Sequence, residues 1–306
     1  MASAPLVVDA PTPKPASWRD FVELSKPGIL GMCLFTAAGA MAVAATLGGY
    51  TPTPFPWPQA LWGLLGTTLS VAASNTLNQW IERDGDRLMN RTKDRPLPAG
   101  RMAPAKALIF GVVLGIASVA VLYTLVNEIS AWISTFALLS YVLIYTPMKR
   151  RSRHALLVGA VPGAMPPLLG WAIVTGDVHA PGIVLAAILG IWQLPHFIAI
   201  SIYRARDYEN AGIHVSPNER GLEFAKNESL WYSLLLVASS MLLVPLQVAG
   251  FFYFVVVSVL GAWFFILSMR GFEPDAGNKW ARQFFFASLI YLPALTIALI
   301  VDLAIQ

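Results

Sequence analysis

The chain has 306 residues, of which 56% are hydrophobic and only 12% carry a charged side chain. Soluble domains usually have about a quarter of their residues charged, so this composition excludes an ordinary soluble protein. Apolar runs of about 20 residues, the length that an α-helix needs to cross a bilayer, recur along the whole chain. We therefore predict an all-α, polytopic membrane protein. A membrane β-barrel would instead show short segments of alternating hydrophobicity.

Residues 1–22 are predicted to form a flexible cytosolic tail. The segment MASAPLVVDAPTPKPASW is rich in proline, alanine and serine, a composition that is typical of linkers. It lacks the continuous apolar core of a signal peptide. Membrane insertion would therefore begin with the first internal span, and residues 23–306 would form the transmembrane domain.

Nine transmembrane helices are predicted in chain order. Their ranges are 28–48, 59–82, 105–125, 129–147, 155–175, 181–205, 229–248, 250–270 and 283–304. The seventh and eighth spans nearly touch, and the sequence QVAGFF is interpreted as the turn between them.

The distribution of basic residues predicts the orientation of the chain. The connections GGYTPTPFPWP, VNEIS, TGDVHAP and QVAGFF contain no Lys or Arg. All 21 Lys and Arg residues lie in the tail or in the connections after even-numbered spans, counting the adjoining helix ends. By the positive-inside rule, the N-terminus is cytoplasmic and the C-terminus is outside. The positive charge then orients the chain in the membrane or binds anionic lipid or an anionic substrate. No nucleic acid is expected as a partner.

The second span ends in the unusually polar sequence NQWIERDGDRLMN, residues 78–90. Asn78, Glu82 and Asp86 are four residues apart, so they share one face of a helix. Their oxygen atoms suit a hard cation such as Mg²⁺, which binds a few carboxylates together with substrate phosphate and water. Polar groups at membrane depth are costly unless they are paired or functional. The alternative interpretation is a salt-bridged helix end, in which neighbouring arginines neutralise the acids.

Basic side chains follow both the second and the fourth span. The sequence RTKDRPLPAGR supplies Arg91 and Arg95 directly after the acidic residues, and YTPMKRRSRH supplies Lys149 and Arg150. Acids that hold a metal, followed by guanidinium groups that hold phosphate, are the combination that a diphosphate requires. The second basic cluster has an equally strong alternative interpretation, because basic loops also orient membrane proteins.

The sixth span ends in WQLPHFIAISIYRARDYENAG, which carries a further set of polar residues. His196 lies inside the apolar part, and Tyr203 and Asp207 are again four residues apart. An ionisable residue within a span indicates function, although a hydrogen bond between helices is the alternative for His196. Two polar helix ends are thus predicted to meet the same cytosolic face.

The sequence NQWIERDGDRLMNRTKDRPLPAGR resembles the first aspartate-rich motif of the UbiA superfamily of intramembrane prenyltransferases. Three further stretches resemble the branch of that superfamily that farnesylates heme. They are ELSKPGIL (23–30), YTPMKRRSRHALLVGAVPGAMPPLLGW (145–171) and PHFIAISIYRARDYENAG (195–212). Tyr203 stands where other branches have the first Asp of a D-x-x-x-D pair, so Asp207 is the main ligand expected from this second motif.

The resemblance implies a UbiA-type nine-helix bundle in the cell inner membrane, with its active site facing the cytoplasm. It implies transfer of the farnesyl group of farnesyl diphosphate to a vinyl group of heme B, with water addition, giving heme O and diphosphate. The implied catalytic residues, which are also the implied Mg²⁺ ligands, are Asn78, Glu82, Asp86 and Asp207. The implied diphosphate ligands are Arg91, Arg95, Lys149 and Arg150.

His196 and Tyr203 are the residues expected to contact heme or the prenyl chain, and His196 is a candidate contact of heme, either as a ligand of the iron or near a propionate. An association with heme A synthase, or with a second copy of the chain, is a further expectation. Two other functions stay open: prenyl transfer to an aromatic quinone precursor, and membrane transport, which also uses charged residues inside broken helices. The clustering of charge at one face argues against transport. A noncatalytic scaffold would not need three oxygen ligands on one helix face.

Overall fold

The structure, a computed structural model, describes residues 16–47 and 49–305. These residues form α-helices joined by turns, and no β-strand occurs among them. In chain order the helices are α1 (Trp18–Leu24), α2 (Pro27–Thr46), α3 (Trp57–Asp86), α4 (Pro104–Leu125), α5 (Glu128–Leu139), α6 (Thr146–Met148), α7 (Ala155–Gly163), α8 (Met165–Thr175), α9 (Ala180–Tyr203), α10 (Ala205–Asn210), α11 (Ser216–Arg220), α12 (Leu222–Met241), α13 (Phe251–Met269) and α14 (Asn278–Ile305). A π-helical segment, Ser140–Tyr145, joins α5 to α6.

Seven helical segments of the described chain are long and apolar enough to cross a membrane. They are Pro27–Thr46, Pro104–Leu125, Glu128–Met148, Ala155–Thr175, Ala180–Tyr203, Phe251–Phe272 and Asn278–Ile305. This confirms the prediction of an all-helical, multi-pass membrane protein and coincides with seven of the nine predicted spans. The other two predictions, 59–82 and 229–248, fall on α3 and α12, which carry many more polar residues.

The seventh predicted span lies further towards the N-terminus than expected. Helix α12 begins at Leu222 and ends at Met241, and the turn before α13 occupies 242–250 rather than QVAGFF. Gly221, at a φ of +87°, separates α11 from α12. The first turns of α12 are polar, so hydropathy does not mark where this helix begins.

The predicted flexible tail differs from the structure in its last residues, while residues 1–15 lie outside the described part of the chain. Helix α1 is held by side chains that are distant in sequence. Arg101 Nε donates a 2.8 Å hydrogen bond to Asp20, and Gln79 Nε2 donates one of 2.8 Å to the Leu24 carbonyl. The hydrogen bond from Arg101, followed by one from a backbone N–H, lowers the pKa of the Asp20 carboxyl. Composition alone could not reveal these tertiary contacts.

Buried serines connect α3, the helix that carries Glu82 and Asp86, to its neighbours. Ser134 on α5 donates a 2.9 Å hydrogen bond to Ser70 on α3. Ser118 on α4 donates a 2.7 Å bond to the carbonyl of Gly66 on α3. Interhelical hydrogen bonds of this kind stabilise packing where no water competes. They fix α3 relative to α4 and α5, and so fix the direction of its polar C-terminal end.

Helices α2 and α8 cross so closely that only glycine fits at the contact. A Cβ atom built on Gly170 would lie 2.1 Å from the carbonyl oxygen of Ala37. Small residues allow the backbones of membrane helices to approach in this way. Lys26, just before α2, lies beside the end of α3, where it contacts Asn78.

Gly170→Ala is expected to lower the melting temperature of the protein in detergent. The new methyl group would meet backbone atoms, which cannot move aside as a flexible side chain can, and overpacking costs about 1–3 kcal/mol. Gly31→Ala on α2 is the control, because no atom lies within 4 Å of its built Cβ. An equal change in both variants would contradict the close crossing.

Candidate active site

The end of α3 presents the three predicted oxygen-bearing side chains on one inward face. Asn78 and Asp86 are each only 1% exposed. Asn78 Nδ2 donates a 2.9 Å hydrogen bond to Glu82 Oε2, which shows that the two side chains are adjacent on the helix. We call Asn78, Glu82 and Asp86 the acidic face. The four-residue spacing in the sequence therefore predicted their shared direction correctly.

Each member of the acidic face is held by one basic side chain from another part of the chain. The contacts are Lys26 Nζ to Asn78 Oδ1 at 3.0 Å, Lys149 Nζ to Glu82 Oε1 at 2.9 Å, and Arg95 Nη1 to Asp86 Oδ2 at 2.8 Å. The partners come from the start of α2, the loop after α3 and the end of α6. Glu82 and Asp86 are therefore ion-paired, as the alternative interpretation expected, but with distant side chains. The neighbouring Arg83 and Arg87 form ion pairs with Asp84 instead.

Lys26, which no sequence motif singled out as a candidate, also contacts the acidic face. It lies between α1 and α2 in the left-handed backbone region, at a φ of +50°. Burial, and then the positive charges of Arg95 and Lys149, lower its pKa to about 7. Non-glycine residues in this conformation are uncommon and concentrate at functional sites. The sequence feature that could have indicated Lys26 is its position as a lone lysine directly before the proline at the start of α2.

The π-helical segment before α6 directs a second set of side chains towards the acidic face. Thr146 accepts a 3.1 Å hydrogen bond from Asn78 Nδ2. Thr146 is the first residue of α6, whereas Tyr141 and Tyr145 lie on the π-helical segment itself. Lys149 Nζ is 4.6 Å from the centre of the Tyr145 ring. Single π-helical turns are rare and often occur at functional sites. A hydropathy pattern does not reveal a π-helical turn, so Tyr141 and Tyr145 were not among the predicted site residues.

A cavity of about 280 Å³ opens beside these residues. Basic side chains in its wall are Lys26, Arg91, Arg95, Lys149, Arg153 and Arg220, and the wall also contains His154, His214, Glu219 and Glu228. Apolar and aromatic side chains in its wall include Ile29, Tyr141, Tyr145, Leu156, Leu157, Phe197, Ile198 and Ile200. The acidic face does not line the cavity but lies behind the three basic side chains that contact it. The cavity therefore joins a cationic wall to an apolar one.

Two of the predicted diphosphate ligands differ in their surroundings. Arg91 lies in the cavity wall, and its Nη2 donates a 3.1 Å hydrogen bond to the hydroxyl of Tyr208. Arg150 does not line the cavity. Its guanidinium lies against the backbone of Gly85, where a Cβ atom would be 1.7 Å from Arg150 Nη2.

The residues from the sixth predicted span do not join the acidic face. Asp207 on α10 forms a 3.5 Å ion pair with Arg204 and is not in the cavity wall. Tyr203, the last residue of α9, packs edge-on to Phe285 with ring centres 5.9 Å apart. No hydrogen bond or ion pair in the described chain links Asp207 to Glu82 or Asp86.

His196 lies between α9 and α14 rather than in the cavity wall. Its Nδ1 is 2.7 Å from Ser288 Oγ, and its ring stacks on Trp192 with centres 4.7 Å apart. Ser288 Oγ also lies 2.6 Å from the Phe285 carbonyl, to which its single proton is directed. Nδ1 is then the donor to Ser288, and Nε2 carries the free lone pair. The adjacent residue, Phe197, reaches the cavity wall.

The donor chemistry of the acidic face fits Mg²⁺. It offers the amide oxygen of Asn78 and the carboxylate groups of Glu82 and Asp86. Mg²⁺ typically takes one or two carboxylates plus phosphate oxygens and water. Within residues 16–47 and 49–305, no group of three or more His, Cys, Asp or Glu side chains could hold a metal by itself. A metal site here would therefore need Asn78 and oxygens from a bound phosphate.

The chain is similar to known prenyltransferases over most of its length. The UbiA prenyltransferase family matches residues 33–290. The protoheme IX farnesyltransferase of Sorangium cellulosum is 49% identical over 246 residues, which cover 80% of this chain and 88% of that protein. The protoheme IX farnesyltransferase of Myxococcus xanthus is 43% identical over 288 residues, which cover 94% and 96%.

Solved structures share the fold at low sequence identity. One from work on digeranylgeranylglyceryl phosphate synthase has a TM-score of 0.76 at 16% identity and covers 94% of this chain and 99% of that one. A UbiA homolog from Archaeoglobus fulgidus bound to GPP and Mg²⁺ has a TM-score of 0.63 at 15% identity and covers 92% and 99%. The sequence matches and the shared fold lead to one conclusion: the chain belongs to the UbiA prenyltransferase family.

Proposed function

We propose that this protein transfers the farnesyl group of farnesyl diphosphate to a vinyl group of heme B, with addition of water, to give heme O and diphosphate. The observation that carries the proposal is the cationic cavity wall, where three basic side chains also contact the acidic face. This wall is suited to a diphosphate that carries several negative charges. The choice of heme B and farnesyl is supported by the names of the similar proteins from Sorangium and Myxococcus.

The two walls of the cavity suggest how the substrates are divided. The diphosphate would contact Lys26, Arg91, Arg95 and Lys149, and the farnesyl chain would extend along the apolar wall, where burial needs no polar partner. Arg150, which lies against Gly85 outside the cavity wall, would reach the diphosphate only after moving. Asp207 would likewise have to leave Arg204 to act as a ligand.

The acidic face would hold Mg²⁺ through Asn78, Glu82 and Asp86. The archaeal homolog of the same fold bound to GPP and Mg²⁺ supports this assignment. The metal, when bound, supplies positive charge to the oxygens of the diphosphate. Lys26, Lys149 and Arg95 would then exchange their present oxygen partners for phosphate oxygens. Their contacts with the acidic face keep these cations in place beforehand.

In the proposed reaction the bond between farnesyl C1 and the diphosphate oxygen breaks, and C1 bonds to the terminal vinyl carbon. Basic side chains in the cationic wall stabilise the charge that develops on the leaving diphosphate. The ring faces of Tyr141 and Tyr145, both in the cavity wall, stabilise the allylic cation. A water oxygen then bonds to the inner vinyl carbon and releases a proton. The apolar wall limits access of other water molecules to the cation.

The proposed topology has nine spans, with α3 and α12 completing the set. The protein would lie in the cell inner membrane, with its N-terminus in the cytoplasm and its C-terminus outside. The cavity would open towards the cytoplasm. The distribution of Lys and Arg supports this orientation,. Association with heme A synthase or with a second copy of the chain stays a prediction.

His196 is proposed to bind the heme iron through Nε2, because Ser288 holds its other ring nitrogen. A second hydrogen-bonding partner of this kind commonly fixes the tautomer of a metal-binding histidine. His196→Ala is expected to lower heme affinity by about 10-fold or more and to change the Soret absorption of bound heme. His179→Ala, in the connection between α8 and α9, is the control. Normal affinity and an unchanged spectrum in His196→Ala would exclude ligation by this residue.

The function is tested by incubating the purified protein with heme B, farnesyl diphosphate and Mg²⁺, followed by mass analysis of the heme. The expected product has gained one farnesyl group and one water. A parallel incubation replaces heme with 4-hydroxybenzoate and a polyprenyl diphosphate. Prenylated 4-hydroxybenzoate without modified heme would favour the quinone-precursor alternative. Uptake of substrate into proteoliposomes without any prenylated product would favour a transporter.

A further inference from the structure

Arg91 and Tyr208 meet across the cavity although 117 residues separate them in sequence. Arg91 Nη2 donates a 3.1 Å hydrogen bond to the Tyr208 hydroxyl, and the guanidinium carbon lies 4.9 Å from the centre of the tyrosine ring. A cation at this distance from a ring face is attracted by it. The tyrosine therefore holds the arginine through two different interactions.

No carboxylate in the described chain pairs with Arg91, in contrast to Arg95 beside it. Both arginines line the cavity, together with Lys149 and Tyr208. An unpaired, exposed arginine samples many rotamers, and ordering such a side chain on binding reduces affinity. Tyr208 restricts that freedom before any ligand arrives, while leaving the remaining guanidinium N–H groups available.

Tyr208 is itself fixed by the backbone around it. Helix α10 ends at Asn210, and Gly212, whose φ is +63°, follows its C-cap residue. Gly212 N donates to the Glu209 carbonyl, and Ile213 N donates to the Tyr208 carbonyl. This pair of bonds is the Schellman arrangement that terminates many helices. A further bond, from His214 N to the Lys149 carbonyl at 3.1 Å, ties the same segment to the other side of the cavity.

We propose that Tyr208 is a positioning residue that holds Arg91 in the orientation in which it binds the diphosphate. The proposal rests on the proposed function, since it assumes that Arg91 contacts the diphosphate of a prenyl substrate. Tyr208 acts through Arg91 and does not touch the reacting atoms. Its hydroxyl selects the direction of the guanidinium, and its ring supports the positive charge.

Two substitutions separate these contributions. Tyr208→Phe keeps the ring and removes the hydroxyl acceptor, so the KM for farnesyl diphosphate is expected to rise about 3- to 10-fold with little change in the affinity for heme. Tyr208→Leu removes the ring as well, and a rise of about 10- to 30-fold is expected. Tyr123→Phe, an exposed tyrosine on α4, controls for the loss of a hydroxyl elsewhere.

The decisive measurement combines the two residues. If Tyr208 acts through Arg91, Tyr208→Phe adds less than about 2-fold to the effect of Arg91→Gln, because the shared interaction is already lost. Effects that multiply would overturn the proposal. A matching loss of heme affinity in Tyr208→Phe would also overturn it, because that result indicates a general disturbance of the segment.

A binding experiment keeps this proposal distinguishable from the proposed function. The dissociation constant of inorganic diphosphate with Mg²⁺ is measured by calorimetry for the unmodified protein, Arg91→Gln and Tyr208→Phe. Weaker binding in both variants supports the positioning role, even if heme B proves not to be the prenyl acceptor. Unchanged binding together with an unchanged KM in Tyr208→Phe would show that the tyrosine does not position Arg91.

Discussion

Asp86→Asn is expected to reduce turnover by roughly 10²- to 10³-fold, the range seen when one group that stabilises transition-state charge is removed. Asp86 is 1% exposed and its carboxylate is held by Arg95 at 2.8 Å. Asparagine has nearly the same shape but lacks the negative charge that a bound Mg²⁺ requires. We expect the remaining activity to need a higher Mg²⁺ concentration, which a Mg²⁺ titration of heme farnesylation measures.

Asp84→Asn is the matched control for this prediction. Asp84 lies two residues away, but its side chain is 67% exposed and its contacts with Arg83 and Arg87 are long, at 4.0 and 3.9 Å. Exposed ion pairs of this kind contribute little, so activity should stay within about 2-fold. The yield of folded protein should be similar for both variants. Full Mg²⁺-dependent turnover in Asp86→Asn would show that the acidic face does not bind the metal.

Lys149→Gln is expected to reduce turnover by about 10²-fold or more, because it removes a positive charge from the cavity wall. The substitution also leaves Glu82 without its partner at 2.9 Å. Both side chains of this pair are largely buried, at 17% and 14% exposure. Breaking a buried ion pair is strongly destabilising because one charge is left uncompensated. A fall in activity alone would therefore not distinguish catalysis from folding.

The double variant Lys149→Gln with Glu82→Gln is designed to separate these effects. Two amides can hydrogen-bond to each other, so the melting temperature is expected to recover towards that of the unmodified protein. Activity should remain low, because the cavity wall still lacks the Lys149 charge and the acidic face now lacks a carboxylate. Recovery of both stability and turnover in the double variant would show that the pair is structural.

The sequence predicted the acidic face because helical spacing is a local property. Asn78, Glu82 and Asp86 need only the 3.6-residue period of an α-helix to share a direction, and that period holds wherever α3 packs. The partners of these residues could not be predicted in the same way. Lys26, Arg95 and Lys149 come from three separate parts of the chain, and only the packing of α2, α3 and α6 brings them together.

At the end of the sixth predicted span, the four-residue spacing did not predict which side chains meet. Its spacing placed Tyr203 and Asp207 on one helical face, but the helix is interrupted at Arg204, where α9 ends and the short α10 begins. Asp207 therefore pairs with Arg204, while Tyr208 reaches the cavity. His196 contacts Ser288 on α14, the interhelical hydrogen bond that was the alternative for this residue. Its proposed role in binding heme uses the other ring nitrogen.

The sequence by itself determined that this is a multi-pass helical membrane protein with acidic and basic residues concentrated at helix ends. Hydropathy and the helical period encode those features locally, so they are independent of how the helices pack. Only the tertiary structure decided which cation meets which oxygen, where the π-helical turn directs Tyr141 and Tyr145, and that Arg91 meets Tyr208. Those features depend on contacts between distant segments, which follow from the close crossings of the helices rather than from any single stretch of sequence.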